Sequence, residues 1–248
     1  MSIPMILSRR KLTFLLVALS GMTALSYSTL SCAGIVLSGT RVIYSAEQNE
    51  VTVNMKNSGK APVLAQSWID DGNQSATPDK ITSPFVLTPP INRIDAGKGQ
   101  TLRISLVDGK GIPANKESVF YLNVLEIPAK SKNAAENNHL SIAFRTRVKL
   151  FYRPQGLKGS SGDAPDSLQW SISNGGVKAT NPTPYYITLG TVTYTQGGSK
   201  YVEDGKMIAP GGNADFHFKN INAISDIHAI TFTSINDYGA AVKHNQSK

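Results

Sequence analysis

Cysteine is all but absent from this chain: the 248 residues hold one, Cys32. No intramolecular disulfide can form, so whatever folds must be held by core packing alone. Long apolar runs are equally scarce. The one candidate, "LTFLLVALSGMTAL" after Lys11, is broken by Thr13, Ser20, Gly21 and Thr23, which makes it too short and interrupted for a membrane span. Histidine is sparse, and His139, His217, His228 and His244 show no ligand spacing, which argues against a histidine-based metal or catalytic site. Two of them, His244 included, read as polar loop or tail. "GLKGSSG" shares only its composition with a phosphate-binding loop, and no G-x-S-x-G appears. Asp70 and Asp71 adjoin Gly72 and Asn73, which reads as hairpin chemistry rather than a catalytic carboxylate pair. Nor does any stretch sustain a 3.6-residue period over three turns. Together these absences exclude a helical protein and disfavour an enzyme.

What is present begins with Arg9, Arg10 and Lys11, followed by the apolar run and then "SCA" ending at Ala33. This order of basic, apolar and small residues predicts a signal peptide over 1–33, cleaved before Gly34. A lipid anchor on Cys32 is the rival, but "TLSC" fits a lipoprotein cleavage box poorly. Removing those three basic residues takes the formal charge from +8 to +5. The lysines and arginines are scattered, which favours simple solubility over a nucleic-acid surface. No other apolar run approaches a membrane span, so a soluble mature form is expected.

From residue 34 onward the pattern is β. "GIVLSGTRVIY", "NEVTVNMKN", "VLAQSWID", "FVLTPP", "QTLRISLVD" and "SVFYLNVLEI" are short runs separated by turn clusters such as "NSGKAP" and "DDGNQSATPD". About seven strands in some 120 residues predict an immunoglobulin-like sandwich over 34–154. "RPQGLKGSSGDAPD" then reads as a linker. Strand patterns resume in "LQWSISNGGVKATN", "YYITLGTVTY" and "IHAITFTSINDYG", predicting a second sandwich over 155–248. Trp68 and Trp170 are expected in the cores. The reading is all-β, two immunoglobulin-like sandwiches in tandem.

One strand is too long. Leu140, Ile142, Phe144, Val148, Leu150 and Tyr152 alternate with polar residues, and a strand from 140 to 152 would span about 43 Å at ~3.3 Å per residue. Val148, Leu150 and Tyr152 are assigned to the domain's own core. The first three exceed what one small sandwich can cover. Arg145 and Arg147 read as exposed, solubilising charges.

"IPANKESVFYLNVLEIPA", residues 112–129, resembles the signature of the periplasmic pilus-assembly chaperones of the chaperone–usher pathway. "TRVIY", "AQSWI", "TPPI", "VKLFYRP", "NPTPYY" and "INDYG" extend the likeness over essentially the whole mature chain. The resemblance implies two immunoglobulin-like domains in a boomerang arrangement, located in the periplasm and working without nucleotide or metal cofactor. It implies that the long strand is lent to an incomplete pilus or fimbrial subunit by β-augmentation, with Leu140, Ile142 and Phe144 as the inserted side chains. Phe144 is bulkier than the aliphatic residue usual there, and the connection before Leu140 resembles the short-loop branch. By the same likeness Arg41 and Lys149 grip the subunit's C-terminal carboxylate, and Glu117, Arg153 and Asp237 form an interdomain salt bridge. Strict alternation sets Lys149 on the face opposite Leu140, so a twist or bulge is expected between them. Implied partners are pilus subunits and an outer-membrane usher, with self-association of the free protein through its exposed edge. Two alternatives stay open here: a structural pilus subunit, and another secreted β-sandwich binding or hydrolytic protein.

Overall fold

The computed structural model describes residues 34–129, 142–173, 175–221 and 223–246. The expected signal peptide, Leu140 and nearly all of the connection leading to Leu140 lie outside the described residues.

The first domain has nine strands among the described residues. They are β1 (Ile35–Leu37), β2 (Arg41–Ser45), β3 (Glu50–Asn57), β4 (Val63–Asp70), β5 (Phe85–Thr88), β6 (Ile91–Ile94), β7 (Gly99–Leu106), β8 (Ser118–Pro128) and β9 (Phe144–Arg153). They form two facing sheets, in the orders β1-β3-β7-β5 and β2-β9-β8-β4-β6. The chain changes sheet between β1, which pairs with β3, and β2, which runs parallel to β9.

Period-two alternation fills the space between the sheets. Val53 and Met55 of β3 and Leu102 and Ile104 of β7 point inward, against Val63, Ala65 and Ile69 of β4, Leu122 and Val124 of β8, and Val148 and Leu150 of β9. Tyr44 is buried whole, and its hydroxyl donates to Asn49 O (2.8 Å) and accepts from Leu106 N (3.0 Å), so the polar end of a core aromatic is satisfied while it ties the two sheets together. Phe85 stacks edge-on to Phe120, with ring centroids 5.0 Å apart.

The second domain has eight strands among the described residues. They are β10 (Gln169–Ser173), β11 (Gly176–Thr180), β12 (Ile187–Gln196), β13 (Ser199–Asp204), β14 (Met207–Ile208), β15 (Asn213–Phe216), β16 (Ile230–Ile235) and β17 (Ala241–Asn245). One sheet is β10-β11-β15 and the other β13-β12-β16-β17, with β14 also on β12. The β12–β13 hairpin turns on Gly197 and Gly198, at φ 59° and 82°, the two successive left-handed positions a tight hairpin of this twist requires.

Several sequence expectations change. Among the described residues β9 starts at Phe144, paired with Glu126, two residues before β8 ends at Pro128; the expected start at Leu140 lies outside the described residues. Trp170 does pack in its core, between Phe216 and Phe232. Trp68 does not; it sits half-buried on the outer face of β4 opposite Asn123, since the inward positions of β4 are the odd ones. His244 is no tail residue. It is buried in β17, stacked on Phe232, with Nε2 2.8 Å from Ser234 Oγ and Nδ1 2.6 Å from Asp166 Oδ1. Asp166 lies in the 3-10 turn Ala164–Ser167 that follows the linker, so this contact fastens the last strand to the start of its domain.

Candidate functional site: an open strand edge beside a cationic cleft

Two faces and one edge of β9 define the site. Even-numbered residues from Val148 to Tyr152 join the core, so the odd ones, Arg145, Arg147, Lys149, Phe151 and Arg153, look outward. The β8–β9 register runs without a shift from Ser118–Tyr152 to Glu126–Phe144. No bulge therefore interrupts the described part of β9, from Phe144 to Tyr152, and none is needed for the two sets of side chains to serve two different faces.

On the outward face, the parallel β2–β9 register sets Arg41 beside Lys149, Ile43 beside Phe151 and Ser45 beside Arg153. Arg41 reaches the second domain, donating from Nη1 to Ile235 O at 2.8 Å, and its guanidinium carbon lies 5.8 Å from the centre of the Phe151 ring. Its Nε is buried and lacks a hydrogen-bond partner among the described residues. Burial lowers the Arg41 pKa, partly offset by the charge of Asp237. Lys149 is half-buried and makes no ion pair among the described residues; burial, and then the charge of Arg41, hold its pKa below the ordinary lysine range. Two cations side by side without a neutralising acid in contact favour an incoming anion. A cavity of about 140 Å³ between the domains is lined by Arg41, Phe151, Arg153, Thr188, Ile235 and Asp237 among others.

Glu117, Arg153 and Asp237 come together behind this cleft. Arg153 donates from Nε to Glu117 Oε1 (2.6 Å) and from Nη1 and Nη2 to the two oxygens of Asp237 (2.8 and 3.0 Å). Ser161 Oγ adds a bond to Asp237 (2.9 Å), and Glu117 Oε2 accepts from Tyr186 N (2.8 Å). Burial opposes ionisation of Asp237, but Arg153's hydrogen bonds and charge, with Ser161, outweigh it and hold the carboxyl below the usual range. Glu117 is more deeply enclosed, and burial pushes its carboxyl up despite Arg153. Arg153 itself stays charged, its burial outweighed by the two acids.

The inserted residues expected of the donor strand stand apart from all this. Ile142 and Phe144 are 54% and 65% exposed. β2 covers the edge of β9 only from Lys149 to Arg153. From Phe144 to Val148 no strand among the described residues pairs with that edge. Leu140 lies outside the described residues.

Arg147 departs from the sequence reading. It is no solubilising charge: Nε and Nη2 grip Asp70 at 3.2 and 2.5 Å, and the guanidinium lies 3.6 Å over the Tyr121 ring. Asp70 does make the expected turn contact, accepting from Gly72 N at 2.7 Å, yet it is 2% exposed and ion-paired as well. An acid at one outward strand position and an arginine at another was the available signal. Only the register of three strands makes them neighbours.

Family models match along the chain in order: the pili and flagellar-assembly chaperone PapD N-terminal domain over residues 34–158, and the pili assembly chaperone PapD C-terminal domain over 163–246. The chain belongs to the PapD family of pilus-assembly chaperones. It is 42% identical over 234 residues, 92% of this chain and 95% of the relative, to the probable fimbrial chaperone YadV of Escherichia coli K12. To the chaperone protein FimB/FhaD of Bordetella pertussis it is 41% identical over 231 residues, 92% and 93% of the two chains. The crystal structure of the YadV chaperone matches with a TM-score of 0.74 at 40% identity, over 86% of this chain and 98% of that one. A chain from the complex of Salmonella enterica SafA pilin with the SafB chaperone matches at 0.71 and 25%, over 86% and 96%. A pilus-assembly chaperone acts by binding rather than by catalysis, which displaces the structural-subunit and secreted-hydrolase readings.

Proposed function

We propose that this PapD-family chaperone is exported to the periplasm by a signal peptide cleaved before Gly34, captures pilus subunits by lending them the open edge of β9, and hands them to an outer-membrane usher. One observation carries this reading: the edge from Phe144 to Val148, which no strand among the described residues pairs, with Ile142 and Phe144 exposed beside it. A subunit strand laid along that edge gains main-chain hydrogen bonds, while alternate side chains enter its groove. Leu140, Ile142 and Phe144 supply those side chains. Each contributes roughly 1.5–3 kcal/mol when buried, less the cost of ordering the chain before them.

Arg41 and Lys149 anchor the subunit's C-terminal carboxylate. A chain terminus is a carboxylate at a defined position, and charge-assisted hydrogen bonds to two cations fix the register of the strand attached to it. The buried Arg41 Nε and the lysine without an acid partner are suited to that ligand. Glu117, Arg153 and Asp237 set the angle of the cleft. In the free protein the same open edge pairs two copies of the chain.

The test is periplasmic co-purification with the fimbrial subunit encoded nearest the gene. Wild type should yield a one-to-one complex, and Lys149→Ala and Ile142→Asp should each lose it. Equal recovery by all three would remove the proposed site.

A further inference from the structure

The first half of β9 poses a mechanical problem. Among the described residues Phe144 and Thr146 have no core beneath them and no strand over their free edge. Pairing with β8 is the one ladder among the described residues that holds this segment in the sheet. A strand so placed frays readily. Yet a strand that is to accept a partner along its edge binds better if it is already straight, because ordering it on binding subtracts from affinity.

The outward side chains answer the problem. Arg147 is planted on Asp70 by two hydrogen bonds, with the side chains 15% and 2% exposed. Asp70 is itself fixed from two other directions, by Asn123 Nδ2 (2.6 Å) on β8 and by Gly72 N (2.7 Å) in the turn that ends β4. The Arg147 guanidinium lies on Tyr121, also of β8. Two residues toward the open end, Arg145 Nη1 donates to Gln74 O (3.0 Å) in the loop after β4. Two strands, β4 and β8, and the loop after β4 therefore converge on the outer face of β9, where its inner face and its edge are uncovered among the described residues. A buried ion pair does little for net stability compared with apolar packing, and on the same outer face Asn123 Oδ1 and Trp68 Nε1 are buried without hydrogen-bond partners among the described residues. Its geometry serves orientation better than stability.

We infer that Asp70 and Arg147 are positioning residues: a clasp that holds the free half of β9 in the sheet, ready for a subunit strand. The inference rests on the strand-donation reading above. Holding the strand from its outer face leaves both the edge and the Ile142–Phe144 side free for the partner.

Asp70→Asn keeps the shape of the acid and removes its charge. Arg147→Met keeps the stem and removes the fork, and Arg147→Lys retains charge without bidentate geometry. Hydrogen–deuterium exchange of the free protein should rise about tenfold or more over residues 142–148 in the first two variants and by less in Arg147→Lys, with β3, β7 and β12 unchanged. The association rate with the subunit recovered by wild type should fall in the same order, while Leu150 and the rest of the core remain protected. Exchange that rises uniformly across both domains would reduce the clasp to a general stabiliser and overturn the inference, as would an unchanged rate over 142–148 in both Asp70→Asn and Arg147→Met. Failure of wild type itself to capture the subunit would overturn the strand-donation reading instead, and the clasp's purpose with it.

Discussion

The two halves of β9 obey opposite rules within ten residues. From Val148 to Arg153 the strand is paired on both edges or nearly so, its even side chains are in the core, and Arg153 is locked between two acids. From Phe144 to Thr146 there is one neighbouring strand among the described residues, and Phe144, like Ile142 just before it, is exposed. An exposed apolar edge is ordinarily a liability. Under the proposed strand donation, the closed half anchors the strand so that the open half remains available, which would keep stability and binding in separate stretches of one element.

Breaking the closed end should have the largest effect. Arg153→Ala strands the buried Glu117 carboxylate without its cation and should destabilise by about 3–5 kcal/mol, read as a shift of the urea midpoint. Next comes a direct contrast between the halves. Leu150→Ala, at a fully buried position, should cost about 2–5 kcal/mol, whereas Phe144→Ala should change stability by about 0.5 kcal/mol or less and yet weaken subunit capture. Equal costs in thermal unfolding would erase the distinction drawn here.

The smallest effect is pH-dependent. Asp70 and Asp237 both have folded pKa values below the ordinary carboxylate range, because bonds from arginine outweigh burial. Their contribution is therefore complete above an unfolded value of about 3.9 and is lost as pH falls through their lower folded values. Glu117, raised by burial, acts in the opposite sense. Denaturant midpoints followed from pH 7 downward should decline in that acid window, and Asp237→Asn should flatten the decline. An unaltered acid limb would mean that the hinge carboxylate titrates as it does in the unfolded chain.

Much of the fold was legible from alternation alone. "EVTVNMKN" places its buried residues two apart, as "VKLFYRP" does for Val148 and Leu150, with Phe151 buried from the opposite face, since side-chain direction in a strand is a local property of the backbone. The site was legible only by likeness. Arg41, Lys149, Glu117, Arg153 and Asp237 were grouped by resemblance to a family, and no spacing in the sequence joins them. Where neither alternation nor likeness applied, the reading went astray: Arg147 was given to solvent, Trp68 to the core and His244 to a tail.

What the sequence by itself determined was which residues alternate and where turns interrupt them. Each follows from interactions between residues a few positions apart. Tertiary structure alone decided that β2 would run parallel to β9 and put Arg41 beside Lys149, that Asp70 would meet Arg147 across two strand boundaries, and that His244 would close onto Asp166. Those contacts join residues 77 to 108 positions apart, and their geometry depends on register and sheet order, which are settled by the packing of the whole core and not by the character of either partner.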